Sequence, residues 1–153
     1  MAIEITWEKY ELLAQKIASS IVEKDFDQIV GISRSGLILG VHLAHLLEIR
    51  KFGCIEVLRT YTDEENADKQ IPQITYWANI DNTKGKKILL VDDIVGEGKT
   101  LRIVKSKLEE FGAQITTCVL VVNLNNFKDN DLESLVNYYG EAVRGWVNFP
   151  WCK

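Results

Sequence analysis

The chemically richest stretch of the chain is Ile88-Leu89-Leu90-Val91-Asp92-Asp93-Ile94-Val95-Gly96-Glu97-Gly98-Lys99-Thr100-Leu101. The apolar run over 87–91 reads as a buried parallel strand. It delivers two adjacent carboxylates, Asp92 and Asp93, then a glycine-bearing loop, then a helix beginning near Thr100. Backbone N–H groups at a helix N-terminus form an anion site, and glycines let a phosphate approach closely. Thr100 adds a hydroxyl and Lys99 adds positive charge. Two carboxylates beside a phosphate cradle suit a ligand with sugar hydroxyls or a hard divalent cation. Gly98-Lys99-Thr100 also mimics the end of the nucleotide-binding loop G-x-x-x-x-G-K-[ST], but the first glycine of that loop would fall at Asp93. A carboxylate there would repel the phosphates such a loop binds, so that reading fails.

The elements that must position these groups follow from periodicity. Trp7, Tyr10, Leu13, Ala14, Ile17 and Ile21 recur at helical spacing, so 7–24 reads as an amphipathic helix entered through Ile5 and Thr6, with Ile5 stapled against Tyr10. Gln28–Ser33 is a short apolar strand running into Ser33-Arg34-Ser35-Gly36, and Leu37–Leu47 is an apolar helix. Residues 54–60 read as a strand, 61–73 as an acidic polar loop, and Ile74–Ala78 as the second arm of a short hairpin. Asn82–Lys86 is a turn. Lys99–Phe111 is a helix closed by Gly112, Ile115–Val122 a β-branched strand, and 123–145 irregular and polar. Strands alternating with helices give an α/β fold with an open, mostly parallel sheet flanked by helices. Ligands of such sheets sit at the carboxyl ends of the strands. The loops at 33–36, 61–73 and 92–100 should therefore open onto one edge.

Composition narrows the function classes. Among 153 residues, 46% are hydrophobic and 26% charged, the balance of a soluble globular chain with room for one domain. Eighteen Lys and Arg against 22 Asp and Glu give a net charge of -4, which speaks against a nucleic-acid module built on a broad basic face. No apolar run has the ~20 residues of a membrane span, and the first residues lack the pattern of a secretory signal. Cys54, Cys118 and Cys152 are odd in number and unpaired in spacing, which favours a reduced, cytoplasmic setting.

The segment Val91–Thr100 resembles the PRPP-binding motif of the type I phosphoribosyltransferases: an apolar strand, two acidic residues, a short loop with glycine, and Thr at the helix start. Ile32-Ser33-Arg34-Ser35-Gly36-Leu37 is similar to that family's pyrophosphate loop, and Tyr61 stands where its catalytic loop begins. Trp146-Val147-Asn148-Phe149-Pro150-Trp151 resembles the C-terminal base-binding segment of the small xanthine/guanine (hypoxanthine) enzymes. The resemblance runs from about residue 26 to 151. It implies a single domain over 1–153, with a small C-terminal hood over the base.

It further implies roles for particular residues. Asp92 and Asp93 would be the catalytic pair, holding the ribose hydroxyls and placing Mg²⁺. Arg34, Ser35, Gly36 and Lys69 would meet the pyrophosphate, the first three often through an unusual peptide conformation. Val95, Gly96, Glu97, Gly98, Lys99 and Thr100 would wrap the 5′-phosphate. Asn123, Trp146 and Val147 would face the base. The implied activity is transfer of a 5-phosphoribosyl group from PRPP to a nitrogenous base, a 6-oxopurine first, with release of pyrophosphate. Partners would be PRPP, a base and further copies of the chain, as dimer or tetramer, with no nucleic acid and no membrane.

Two positions depart from the 6-oxopurine pattern. An Asp usual three residues after the acidic pair is Gly96, and a Lys usual at the end of the following strand is Asn123. A different heterocycle, or a PRPP- or nucleotide-binding regulator without turnover, are the alternative readings. The remaining candidates read as structural. His42 and His45 lie on an apolar helix with no third ligand, Lys84, Lys86 and Lys87 form a solvated turn, Trp77 is core or interface, and Cys152 has no partner base.

Overall fold

The computed structural model describes residues 2–23, 25–59, 65, 68, 70–127 and 132–152. In chain order its elements are β1 (Ile3–Glu4), α1 (Trp7–Ser20), β2 (Gln28–Ser33), α2 (Gly36–Leu46), β3 (Phe52–Leu58), β4 (Gln73–Ala78), β5 (Lys87–Val95), α3 (Lys99–Glu110), β6 (Gln114–Asn123), α4 (Leu132–Leu135), β7 (Tyr138–Val143) and β8 (Val147–Asn148), followed by a 3-10 turn over Pro150–Cys152. The main sheet has the order β4-β3-β2-β5-β6-β7. Only β4 runs antiparallel, as the second arm of a hairpin with β3. Such a sheet is closed on both faces. Leu89 and Val91 of β5 pack with α1 and α2 on one side, while Ile88 and Leu90 pack with Leu101, Val104 and Leu108 of α3 on the other. Strand alternation thus divides one apolar run between two cores.

Several boundaries differ from the sequence expectation for local physical reasons. Thr6 caps α1, its Oγ1 accepting from the Lys9 N–H at 3.1 Å. The helix stops at Ser20 rather than 24, because Ile21 turns extended and buries itself in the core. Strand β3 begins at Phe52, two residues early, where the Phe52 ring fits over Gly40 of α2. Strand β5 continues through the acidic pair to Val95, since Ile94 and Val95 pair with Val121 and Val122 of β6.

The expectation of irregular chain over 123–145 is wrong. It contains α4 and β7, the latter parallel to β6. The inward position at the middle of β7 is Gly140, so the strand shows no apolar alternation. A Cβ at Gly140 would lie 2.7 Å from the Leu120 carbonyl oxygen and 3.1 Å from Leu13 Cβ. A glycine is what lets α1 lie flat on this edge of the sheet.

The C-terminal segment forms its hood together with the start of the chain. β8 pairs with β1 in parallel, Ile3 opposite Val147 and Glu4 opposite Asn148. Phe149 and Trp151 stack with centroids 4.7 Å apart. Of the three cysteines, Cys118 is buried, Cys54 half-buried and Cys152 exposed, and burial pushes the Cys118 thiol up. Trp77, read as core or interface, is 46% exposed and meets Phe111 edge-on at 5.9 Å. His42 packs on Tyr10, the ring Nδ1 lying 3.0 Å from Oη. Among the described residues no helix is long and apolar enough to cross a membrane.

Gly140→Ala is expected to destabilise the fold by about 1–3 kcal/mol through overpacking, read as a lower urea midpoint. An unchanged midpoint would contradict the close approach of α1 to β7.

Candidate active site

The strand order creates the site. From β2 the chain moves outward to β3 and β4, and from β5 it moves outward the other way to β6 and β7, so the loops after β2 and β5 diverge. The crevice between such loops is where open α/β sheets bind ligands. Here it is flanked by the N-termini of α2 and α3. The N-cap residues, Ser35 and Gly98, make no side-chain capping hydrogen bond. In the first turn of α2 the Leu37 N–H donates to the Arg34 carbonyl at 3.1 Å and the Ile38 N–H to the Ser35 carbonyl at 3.2 Å, while both helix ends present the positive end of their dipole, which suits anionic ligands.

The two loops are held close. A Cβ on Gly36 would come within 2.8 Å of the Val91 carbonyl and 3.1 Å of Asp92 Oδ1, so only glycine fits. The Ser33–Arg34 peptide is cis, the unusual conformation anticipated for this loop. On the other loop, Gly98 adopts φ 85°, and a Cβ there would meet Leu135 Cδ2 at 2.7 Å. Val95 keeps its side chain in the α3-side core, which leaves only its backbone to the loop.

Asp92 and Asp93 leave the buried part of β5 half-exposed. Asp92 Oδ1 accepts from the Asp93 N–H at 2.8 Å, and Asp93 Oδ1 accepts from the Ile94 N–H at 2.8 Å. Burial first, and then the neighbouring Asp93 charge, hold the Asp92 carboxyl well above the usual range, and burial raises Asp93 as well. The pair shares a hydrogen bond. A cation or a pair of hydroxyl donors would relieve the repulsion between the two carboxylates.

Four residues on, Glu97 is surrounded by positive charge. Its carboxylate pairs with Arg59 and lies 3.3 Å from Lys99 Nζ, while its carbonyl accepts from Arg102 Nη1 at 3.3 Å. Arg59 holds the Glu97 carboxyl below the usual range, with Lys99 assisting. Arg102 also lies over the Phe127 ring at 5.8 Å.

The base-side candidates lie at the end of β6 and after β7, Asn123 following Val122, which pairs with Val95 of β5. Asn123 is buried at the end of β6 with its amide occupied: Nδ2 donates to the Gly145 carbonyl at 2.8 Å, and Oδ1 accepts from the Asn125 N–H at 3.1 Å. It thus fixes the turn before Trp146 rather than presenting a free amide. Trp146 is 39% exposed and donates through Nε1 to Asn148 Oδ1 at 2.9 Å. Val147 is buried under β1, which leaves its backbone as the group nearest solvent. Lys69 and Tyr61 lie outside the described residues.

Sequence reasoning missed Arg59 and Asn126. Arg59 ends the β3 segment, so the rule that ligands meet strand carboxyl ends applied to it as much as to the loop after it. Asn126 lies across from Gly96, where a Cβ would stand 3.5 Å from the Asn126 Cβ and Nδ2. No spacing signal links residues 96 and 126.

The donor set bears on a metal. Among the described residues no group of three or more His, Cys, Asp or Glu side chains is placed to hold one. Mg²⁺ commonly uses one or two carboxylates, waters and substrate phosphates rather than a full protein cage. Asp92 and Asp93 fit that mode.

A crevice that offers two helix N-termini to phosphates and a carboxylate pair to hydroxyls has the donors a phosphorylated sugar needs. Over residues 6–151 the chain matches the phosphoribosyl transferase domain, and it belongs to that family. A xanthine-guanine phosphoribosyltransferase of Chromohalobacter salexigens is 28% identical over 149 residues, covering 96% of this chain and 82% of that protein. An adenine phosphoribosyltransferase of Petrotoga mobilis is 29% identical over 143 residues, covering 86% and 81%. Among solved structures, a purine phosphoribosyltransferase from Pyrococcus horikoshii Ot3 superposes with a TM-score of 0.80 at 27% identity, over 99% of this chain and 95% of that one. The parallel sheet flanked by helices is the fold these proteins share.

Because the folded protein raises the Asp92 pKa, its ionisation costs stability as pH rises above the ordinary aspartate value. Asp92→Asn keeps the Oδ1 acceptor and removes the charge. It is expected to raise Tm by about 2–4 °C at pH 8, with the gain vanishing as pH falls below ~4. A gain that instead grew on acidification would contradict the assignment.

Proposed function

We propose that this chain transfers a 5-phosphoribosyl group from PRPP to a ring nitrogen of a purine and releases pyrophosphate, with Mg²⁺ as cofactor. The observation that carries the reading is the placement at the carboxyl ends of β2 and β5, where the N-termini of α2 and α3 flank a carboxylate pair. The backbone N–H groups and Thr100 hydroxyl of 96–100 hold the 5′-phosphate. The loop 33–36 with the α2 N-terminus receives the pyrophosphate, and Asp92 and Asp93 hold the ribose 2′ and 3′ hydroxyls.

At C1 of the ribose the bond to pyrophosphate oxygen breaks while a bond to the base nitrogen forms. The electron pair leaves with the pyrophosphate, positive charge builds on the sugar, and the nitrogen loses its proton to solvent or to the site. The chain contributes orientation and preorganised donors to the departing anion. Asp92 and Asp93 would hold a Mg²⁺ ion, which would supply charge neutralisation for the leaving group. Trp146 offers an apolar face on which a planar base can stack.

A 6-oxopurine is the acceptor we favour. The C-terminal segment 146–151 and the extent of alignment with the xanthine-guanine relative support it, the latter covering 96% of this chain. Gly96 and Asn123 carry no charge to the base, and the adenine relative marks the competing acceptor.

The test is pyrophosphate release from PRPP and Mg²⁺ with guanine, xanthine, hypoxanthine, adenine, uracil and orotate offered separately, against Asp92→Asn/Asp93→Asn. Release with a 6-oxopurine, lost by at least ~100-fold in the double variant, is the expected result. Release with adenine alone would move the acceptor and keep the reaction. Silence with every base, with PRPP still bound, would overturn the transferase and favour a sensing role.

A further inference from the structure

The loop assigned to phosphate carries a carboxylate of its own. Glu97 sits between Gly96 and Gly98, at the start of α3, where the helix end favours an anion. Its side chain answers that field locally, pairing with Arg59 from the end of β3 and with Lys99 from the first turn of α3. Arg59 is the less exposed partner, its side chain 18% accessible against 64% for Lys99. Its Nε is buried and makes no hydrogen bond among the described residues, so the guanidinium is only partly satisfied by Glu97. An arginine forms its strongest contacts as a two-pronged donor to carboxylate or phosphate. Here a single loop carboxylate engages one terminal nitrogen.

These observations point beyond an ordinary surface ion pair. We infer that Arg59 and Lys99 are ligands for the phosphate of the incoming phosphoribosyl substrate, and that Glu97 is a resident competitor that occupies them until the phosphate arrives. The inference rests on the reading of 96–100 as a phosphate loop. A phosphate carries more charge than the carboxylate and more acceptor oxygens, so it can engage both prongs of Arg59 and Lys99 together. Glu97 then swings to solvent, which its half-exposed position permits. Glu97 thereby sets the threshold for occupancy: ligands of low charge fail to displace it, and a phosphate monoester succeeds. Arg59 is a binding residue that no motif marked, and Glu97 acts through it on affinity.

Ribose 5-phosphate reports on the loop without any chemistry. Its binding is to be measured by calorimetry at low salt on the full chain, as wild type, Glu97→Gln, Arg59→Gln and the double variant. The glutamine is close in shape to Glu97 and keeps an acceptor for Arg59. Glu97→Gln is expected to tighten binding about three- to tenfold, and Arg59→Gln to weaken it. In the Arg59→Gln background the gain from Glu97→Gln should shrink to less than half, since much of what Glu97 competes for is gone. In steady state the gain should fall on the KM for PRPP and not on that for the base. A purely structural ion pair would lower Tm in both single variants and leave the Glu97→Gln affinity unchanged or weaker, which overturns the inference. Absence of ribose 5-phosphate binding in wild type and Glu97→Gln alike overturns it together with the phosphate-loop reading. The expected affinities without pyrophosphate release on any base leave the inference standing and overturn only the transferase.

Discussion

The central constraint on this molecule is that one strand must be apolar enough to be sealed on both faces and must then carry two adjacent carboxylates. Ile88, Leu89, Leu90 and Val91 of β5 are fully buried between the two helical layers, and the next two residues are Asp92 and Asp93. Hydrogen bonds to β2 on one side and β6 on the other fix where that strand ends. The carboxylates are thereby held against a low-dielectric wall, where ionising both is unfavourable. Gly36, which must be small to pass Asp92, and the N-termini of two helices surround the pair as consequences of the same placement. Stability lost to like charges held side by side at such a place is the usual cost of a poised site.

Charge is divided across the crevice. The end of β5 is negative, whereas the loop that follows gathers Arg59, Lys99 and Arg102 around Glu97. A ligand with hydroxyls at one end and phosphates at the other matches this polarity. The net charge of -4 hides it, because the asymmetry is local.

Most of the central fold could be read from periodicity because its central strands are buried on both faces and Gly112 closes α3. Residues 28–33 and the helix from 99 closed by Gly112 stand within a residue or two of where their patterns put them, and the run from 87 starts where its pattern does but continues past Val91 to Val95. The strand β7 was illegible since its inward position is a glycine, so the packing signal sits in Leu13 of a distant helix. The two-residue β1 is too short to show any period, and its partner lies near the other end of the chain. In the site, the acidic pair and the glycines were legible because backbone geometry demands them locally. Asn123 was legible only as a position. That its amide is taken up by Gly145 and Asn125 depends on a turn the sequence does not signal. Arg59 and Asn126 reach the site through tertiary contact alone.

The pairing of β1 with β8 closes a circuit of 144 residues with two residues on each side. Loop-closure entropy makes such a contact a late arrival in folding, and its small area makes it an early departure under local opening. During synthesis the first strand must wait for almost the whole chain before its partner exists. The crevice built from β2, β5 and their helices can assemble around its own core in the meantime. Amide hydrogens at Ile3 and Ile5, whose acceptors are Trp146 and Asn148, should accordingly exchange through a smaller opening than those of β5. The molecule then has two tiers of permanence: a sheet that persists as long as the fold does, and a β1–β8 pair whose small area makes it the easier of the two to open.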